Sequence, residues 1–354
     1  MLTRIEFENY RIFKKRQVLD IKPITILFGK NNAGKSAVLR LPSLCMSINN
    51  AEDKSAFGSE INDLKLFRTY RDLIYGKGAL STHIKISNDH GNHEEIVFHV
   101  DIDKLVVDEH KREIKTKGIS TYIDYIGPFR IRPDLDMRID SQQYMISGFD
   151  GRFSYQTLLR DYYSTPHIIY DKVSQWYQDN FEGWGVAINE NGPTFNIEMN
   201  FDGLRIPVQD CGTGIIQSLP IVIRACQKAV KPTLVVLEEP ETHLNPSAHA
   251  ELCQLIVDST TDDDNKRYLI ETHSHTFILR LQRMLAEGTL KKDDVAIYYV
   301  EFDPQEKSSN LKKLEMREDG SIPQWPNGMF EEVMEEVFAI NSKRISTRNE
   351  YRNR

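Results

Sequence analysis

The feature that most constrains this chain is an octapeptide. Gly29-Lys30-Asn31-Asn32-Ala33-Gly34-Lys35-Ser36 sits between the apolar run "PITILF" and a segment that reads as a helix. It satisfies GxxxxGK[ST]. Glycines in such a loop let backbone N–H groups turn inward on a phosphate without side-chain clash. A helix beginning just after it points its positive dipole end at the same anion. Lys35 would add a full charge near the β- and γ-phosphates, and Ser36 a hydroxyl for Mg²⁺. The residues expected to hold the nucleotide are therefore Gly29, Asn31, Asn32, Ala33, Gly34, Lys35, Ser36 and Ala37.

Three further motifs narrow the chemistry. "TLVVLEEPETHLNP" (233–246) is a continuous apolar run ending in two adjacent carboxylates, Glu238 and Glu239. Such a run reads as a buried parallel strand. If it lies beside the glycine loop, Glu238 can hold the Mg²⁺ shell with Ser36, while Glu239 aligns and activates a water against the γ-phosphate. "LIETHSH" (269–275) again ends a strand in polar residues, and places His273 34 positions after Glu239. A histidine there could hydrogen-bond the γ-phosphate or the attacking water. "DCGTGIIQSLPIV" (210–222) sets Gly212, Thr213 and Gly214 before a helix, a second exposed helix N-terminus suited to an anion. No guanine-gripping NKxD is present, because "NKRY" at 265–268 lacks the aspartate. That disfavours a GTPase.

The order of glycine loop, glycine signature, carboxylate strand and histidine strand resembles the ABC-type ATPase superfamily. The likeness is to its nucleic-acid-linked branch, the RecF, SMC and overcoming-lysogenization-defect (OLD) relatives. "IEFENYRIF" resembles the start of that branch, and "EEPETHLNP", "YIGPFR" (125–130) and "ETHSHTFILRLQR" resemble bacterial predicted ATPases close to the OLD group. "DGSIPQWPNGMFEE" resembles their C-terminal segment of unknown function. The resemblance implies an α/β P-loop NTPase of ABC type: a mixed sheet, an antiparallel β subdomain and a helical lobe. It implies ATP and Mg²⁺ as ligands, with Lys35, Glu239 and His273 catalytic. It also implies a head-to-tail homodimer in which Gly212, Thr213 and Gly214 contact the nucleotide bound by the partner subunit. Gly127, Pro128 and Arg130 would occupy the glutamine-loop region, with Gln142 and Gln143 as candidate glutamines, and Asn245 the subunit-communication loop. The signature serine of LSGGQ is absent. About 80 residues follow His273 and lack a spaced DxD, so no TOPRIM nuclease is expected in this chain.

Domain organisation follows the same lines. Residues 1–300 read as the ATPase head. Lobe I covers about 1–130 and 226–300, with antiparallel hairpins over 81–125. A helical signature lobe covers about 131–225, including one helical stretch over 152–181. Residues 301–354 form a C-terminal segment with an amphipathic helix (Val333, Met334, Val337, Phe338) and a basic tail. The chain carries a net charge of −7, which weighs mildly against a nucleic-acid coat protein. Its four cysteines form no CxxC pair, which argues against a zinc or disulfide scaffold and suits a reducing cytoplasm. The N-terminal segment lacks the apolar core of a secretion signal, and no apolar run of about 18 residues is present, so no membrane span is expected. The function expected is an ATPase that regulates or senses for DNA-related machinery, in a setting such as bacterial anti-phage defence. A nuclease or other effector would be a separate chain, and DNA is carried as a candidate partner. The alternatives are a transporter's nucleotide-binding subunit and an ATP-dependent scaffold with little turnover.

Overall fold

The strand that feeds the glycine loop, β3 (Ile24–Gly29), is buried at all six positions. A strand can be apolar on both faces only where both are covered, and β3 lies inside a six-stranded sheet. We describe a computed structural model over residues 1–53, 56–78, 80–101, 104–113, 121–326, 329 and 340. The sheet's other strands are β9 (Tyr122–Ile126), β14 (Thr233–Glu238), β15 (Lys266–Glu271), β16 (Val295–Asp303) and β17 (Ser308–Leu314), in the order β17-β16-β3-β15-β14-β9. All neighbours run parallel except β16 and β17.

Side chains alternate along each strand, so the sheet feeds two cores. Ile24, Ile26, Phe28, Val235, Leu237 and Ile270 join one. Leu27, Leu234, Val236, Leu269 and Tyr298 join the other. The first core is covered by the helices α3 (Arg152–Tyr162), α4 (Ile168–Asn180), α5 (Thr213–Cys226), α6 (Pro246–Thr261) and α7 (His275–Ala286). On the second face lies an antiparallel sheet of order β2-β1-β6-β7-β8, from β1 (Leu2–Glu8), β2 (Gln17–Asp20), β6 (Thr82–Asn88), β7 (His93–Asp101) and β8 (Lys104–Glu113). Their inward residues, such as Ile84, Ile96 and Phe98, enter the second core. Between the two stand α1 (Lys35–Leu39) and α2 (Leu41–Asn50). The break between these helices falls just before Pro42, which has no N–H to give the preceding turn. A minor hairpin, β4 (Glu60–Ile61) with β5 (Leu64–Lys65), follows.

Several boundaries differ from the expected ones. Tyr122–Ile126 is not a hairpin arm but pairs parallel with β14; the main sheet buries it from Ile123 to Ile126, and its one acid, Asp124, is paired with the buried Arg224 of α5. The helical stretch of 152–181 is two helices, interrupted at Ser164–Pro166. The lobe expected to be helical also contains a sheet: β10 (Met137–Arg138), β12 (Thr194–Phe201) and β11 (Gly185–Asn191) in that order, with β13 (Leu204–Pro207) on β12. The two-residue turn of the β11–β12 hairpin is Gly192-Pro193, one position after the expected Asn191-Gly192, because Asn191 still pairs with Thr194. The limit at residue 300 falls inside the β16–β17 hairpin, whose ladder runs from Ile297↔Leu314 to Asp303↔Ser308. After β17 the chain turns back on the helical face. The ring of Trp325 stacks on Phe28 with centroids 5.2 Å apart, and Gly320 lies against the backbone of Gln282 in α7. The amphipathic helix over Val333, Met334, Val337 and Phe338 and the basic tail lie outside the described residues. No helix among the described residues is long and apolar enough to cross a membrane.

Candidate active site

The glycine loop leaves β3 at its C-terminal end, where parallel α/β sheets collect their ligands. Two of its glycines are required by geometry. Gly29 (φ +152°) passes so close to β16 that a Cβ would lie 2.2 Å from the Val300 carbonyl oxygen. At Gly34 (φ +102°) a Cβ would lie 2.8 Å from Ile12 and 3.1 Å from the Phe13 ring. The "NYRIF" segment is thus the floor of the loop, which gives the opening motif a physical reason. Lys35 is buried and donates from Nζ to the carbonyls of Gly29 and Lys30, at 3.1 Å each.

The order of the strands decides which carboxylate meets this loop. β15, not the carboxylate strand β14, is the neighbour of β3. The position expected for β14 beside the loop is therefore corrected by one strand. The residue that reaches the loop is Glu271, at the end of β15. Its Oε2 accepts the Ser36 hydroxyl at 3.2 Å, and its Oε1 lies 3.4 Å from Lys35 Nζ. Burial pushes the Glu271 carboxyl up to about 7, with Lys35 opposing and Glu238 adding. Glu238 is register partner to Glu271 across the ladder, and its Oε2 accepts the Tyr125 hydroxyl at 2.8 Å. Burial and the Glu238 charge raise the Tyr125 phenol far above its usual range, so it stays a donor.

Glu239 turns the chain out of the sheet at φ +47°, a conformation rare for a residue of this size and more often met at functional sites. Its N–H donates to the Glu271 carbonyl at 2.9 Å, and its Oε2 accepts from Thr242 Oγ1 at 3.1 Å. Its Oε1 is 3.7 Å from His273 Nε2, which lies 4.0 Å from Glu271 Oε1. One ligand atom each from Glu239, Glu271 and His273 lies within 4.8 Å of the others. Burial and Lys35 lower the His273 pKa, against Glu239 and Glu241, so its imidazole is neutral at pH 7. A third acid of "EEPETHL" sets that ring's place. Glu241 Oε1 accepts both the Thr272 hydroxyl at 2.7 Å and the His273 N–H at 2.8 Å.

The residues present suit a magnesium nucleotide. Mg²⁺ prefers oxygen ligands and usually takes one or two carboxylates. Ser36 Oγ, Glu271 and Glu238 supply such oxygens where two sheet strands end. Lys35 holds two main-chain carbonyls that a phosphate oxygen can replace. Glu239 and His273 stand at the rim, 37% and 38% exposed, within reach of solvent water.

The remaining expected residues lie elsewhere. Gly212 caps α5, and Gly214 packs so closely on the loop after Glu239 that a Cβ would be 2.6 Å from the His243 carbonyl oxygen. Among the described residues no hydrogen bond joins Gly212, Thr213 or Gly214 to the glycine loop of the same chain. Asn245 caps α6 by accepting the Ser247 N–H. Gln142 and Gln143 line a surface cavity of about 450 Å³ with Arg160, Gln227 and Lys228, on the α3–α5 side. Glu271, Glu241 and Tyr125 were missed. The signal for Glu271 was present: "RYLIE" and "TLVVLE" are both apolar strands ending in glutamate.

The strand order and the glycine loop define a P-loop NTPase fold of the ABC-ATPase type. A family described as AAA domain matches residues 4–182, slightly more than half of the chain, and the protein belongs to that family. A family described as AAA ATPase domain matches 108–278, and a protein of unknown function family (DUF3696) matches 290–340. Among solved structures the chain is similar to an SmcHead bound to the C-winged helix domain of ScpA. The TM-score is 0.54 at 13% identity, covering 89% of this chain and 98% of that one. The SMC head domain from Thermotoga maritima gives 0.50 at 11% identity, with 89% and 99% covered. An Smc head domain with an extended coiled coil, bound to the C-terminal domain of ScpA derived from Pyrococcus furiosus, gives 0.50 at 11%, with 96% and 99% covered. These likenesses establish the fold. No curated protein sequence matches the chain.

Proposed function

We propose that the protein hydrolyses ATP to ADP and phosphate between two copies of itself. The observation that carries this reading is the convergence of Lys35, Ser36, Glu239, Glu271 and His273 at the ends of three adjacent parallel strands. Loop amides and Lys35 bind the β- and γ-phosphates. Ser36, Glu238 and Glu271 are the oxygens that would hold Mg²⁺, which supplies charge neutralisation at the phosphates. Glu239 takes a proton from the attacking water, and neutral His273 orients the water or the γ-phosphate.

Gly212, Thr213 and Gly214, unattached to their own loop, complete the partner's site in a head-to-tail dimer. Groups supplied in trans to phosphoryl transfer are worth about 10³–10⁵ in rate, so turnover is slow in the monomer. We assign the ATPase to the control of DNA-related machinery, with anti-phage defence as the setting and a separate nuclease or other effector as the output. That assignment draws on the likeness to OLD-type ATPases. The test measures phosphate release against protein concentration, with and without DNA, for the wild type and Glu239→Gln. Release that rises faster than linearly with concentration, and falls by about 10²-fold or more in the variant, supports the reading. Full release by Glu239→Gln refutes it.

A further inference from the structure

Arg130 was expected only as part of a loop that senses the γ-phosphate, yet its guanidinium is committed elsewhere. The residue is 3% exposed, and its partners are main-chain oxygens. Nη2 donates to the carbonyls of Glu238 and Glu239, each at 2.9 Å, and Nη1 to that of Pro128 at 3.3 Å. The first two carbonyls belong to the peptide groups on either side of the Glu239 Cα. One nitrogen gripping both restricts both backbone dihedrals of Glu239, the residue held at φ +47°.

The main chain of Arg130 is itself held by α5. Its N–H donates to Gln217 Oε1 at 2.9 Å, and its carbonyl accepts from Gln217 Nε2 at 2.8 Å. The loop around it is braced by Ile131 N–H on the Asp150 carbonyl at 2.8 Å, and by the Tyr155 hydroxyl on the Ile131 carbonyl at 2.6 Å. Gln217 is one helical turn from the Gly212-Thr213-Gly214 start of α5. A continuous set of hydrogen bonds therefore runs from that helix start, through Gln217 and Arg130, to the backbone of Glu239.

We propose that Arg130 is a positioning residue for hydrolysis: it sets the aim of the Glu239 carboxylate, and Gln217 makes that aim depend on where α5 sits. This rests on the reading of Glu239 given above. Engagement of the α5 N-terminus by a partner's nucleotide would then be reported to the carboxylate of the same chain through two side chains.

Arg130→Lys keeps the charge but loses the planar guanidinium whose Nη1 and Nη2 tie the Pro128 carbonyl to those of Glu238 and Glu239. In the full-length chain this variant should bind a fluorescent ATP analogue within about threefold of wild type. Its kcat should fall by at least about tenfold, since small misplacement of a catalytic group is costly. Placed on Glu239→Gln, Arg130→Lys should change the residual rate by less than about twofold, because the group it aims is already gone. Loss of ATP affinity in proportion to kcat overturns the proposal, as does an equal fold-loss in the Glu239→Gln background. Should Arg130→Lys fail to fold, Gln217→Ala, which leaves every guanidinium bond in place, must lower kcat with ATP affinity kept; unchanged kcat there overturns the link to α5. Full activity of Glu239→Gln by itself would refute the reading of Glu239 instead, so the two failures are told apart.

Discussion

Replacing Glu271 with glutamine should stabilise the nucleotide-free protein, and only above the acid range. Glu271 is 5% exposed, and its carboxyl is pushed from 4.5 to about 7 by burial first, with Lys35 working in the opposite direction and Glu238 in the same one. The folded state therefore binds its proton more tightly than the unfolded chain. Below about pH 4.5 both states are protonated and the residue contributes nothing to the pH dependence. Between about pH 4.5 and 7 the unfolded chain has given up its proton while the folded state keeps it, so stability falls steadily, and above about 7 the folded protein holds a buried charge and the loss is complete. A shift of that size, at 1.36 kcal/mol per unit, amounts to about 3 kcal/mol by pH 8. Glutamine is nearly isosteric, keeps an acceptor for the Ser36 hydroxyl, and does not titrate. The attraction of Lys35 is already contained in the shift. Urea unfolding in the absence of nucleotide and Mg²⁺, followed by circular dichroism from about pH 5 to pH 8, reads the difference directly. Glu271→Gln should exceed the wild type by less than about 1 kcal/mol at pH 5 and by on the order of 3 kcal/mol at pH 8. A difference that does not change with pH, or a variant weaker than wild type at pH 8, refutes the reasoning.

Other outcomes are equally specific. Lys35→Ala should abolish ATP binding in a calorimetric titration. Glu239→Gln should bind ATP normally, lose about 10²-fold or more in turnover, and accumulate as an ATP-bound dimer in size-exclusion chromatography. Lys266, buried with its amine donating to the Ala225 carbonyl, is pushed down by burial to about 7. Its cost is full below pH 7 and fades toward pH 10.5, so Lys266→Met should gain about 4 kcal/mol at pH 6 and less at pH 10 by the same unfolding assay. Glu241→Ala should cost about 2–4 kcal/mol through the unpaired Thr272 hydroxyl and His273 N–H and slow turnover, whereas Glu241→Gln, which keeps Oε1, should retain most of both.

The sequence by itself determined the glycine loop, its helix, the two apolar strands that end in acid, and most element types. These depend on local physics: residues that must accept positive φ, runs of apolar side chains, periodicity of 2 or 3.6. Such signals are written in consecutive residues and survive without a tertiary frame. The identity of the carboxylate beside Lys35 was not of that kind. Glu238 and Glu271 end similar strands, and only the strand order β3-β15-β14, in which a later strand inserts between two earlier ones, puts Glu271 next to the loop. The same holds for Tyr122–Ile126, whose apolar pattern suits a hairpin arm until the sheet supplies a parallel partner. Arg130 and Glu241 hold main-chain atoms far from them in sequence or around a turn, and backbone carbonyls and amides carry no residue-specific mark. What tertiary structure decided, in short, was neighbourhood across strands and the pairing of buried side chains with backbone, both of which depend on sheet order rather than on any local run of residues.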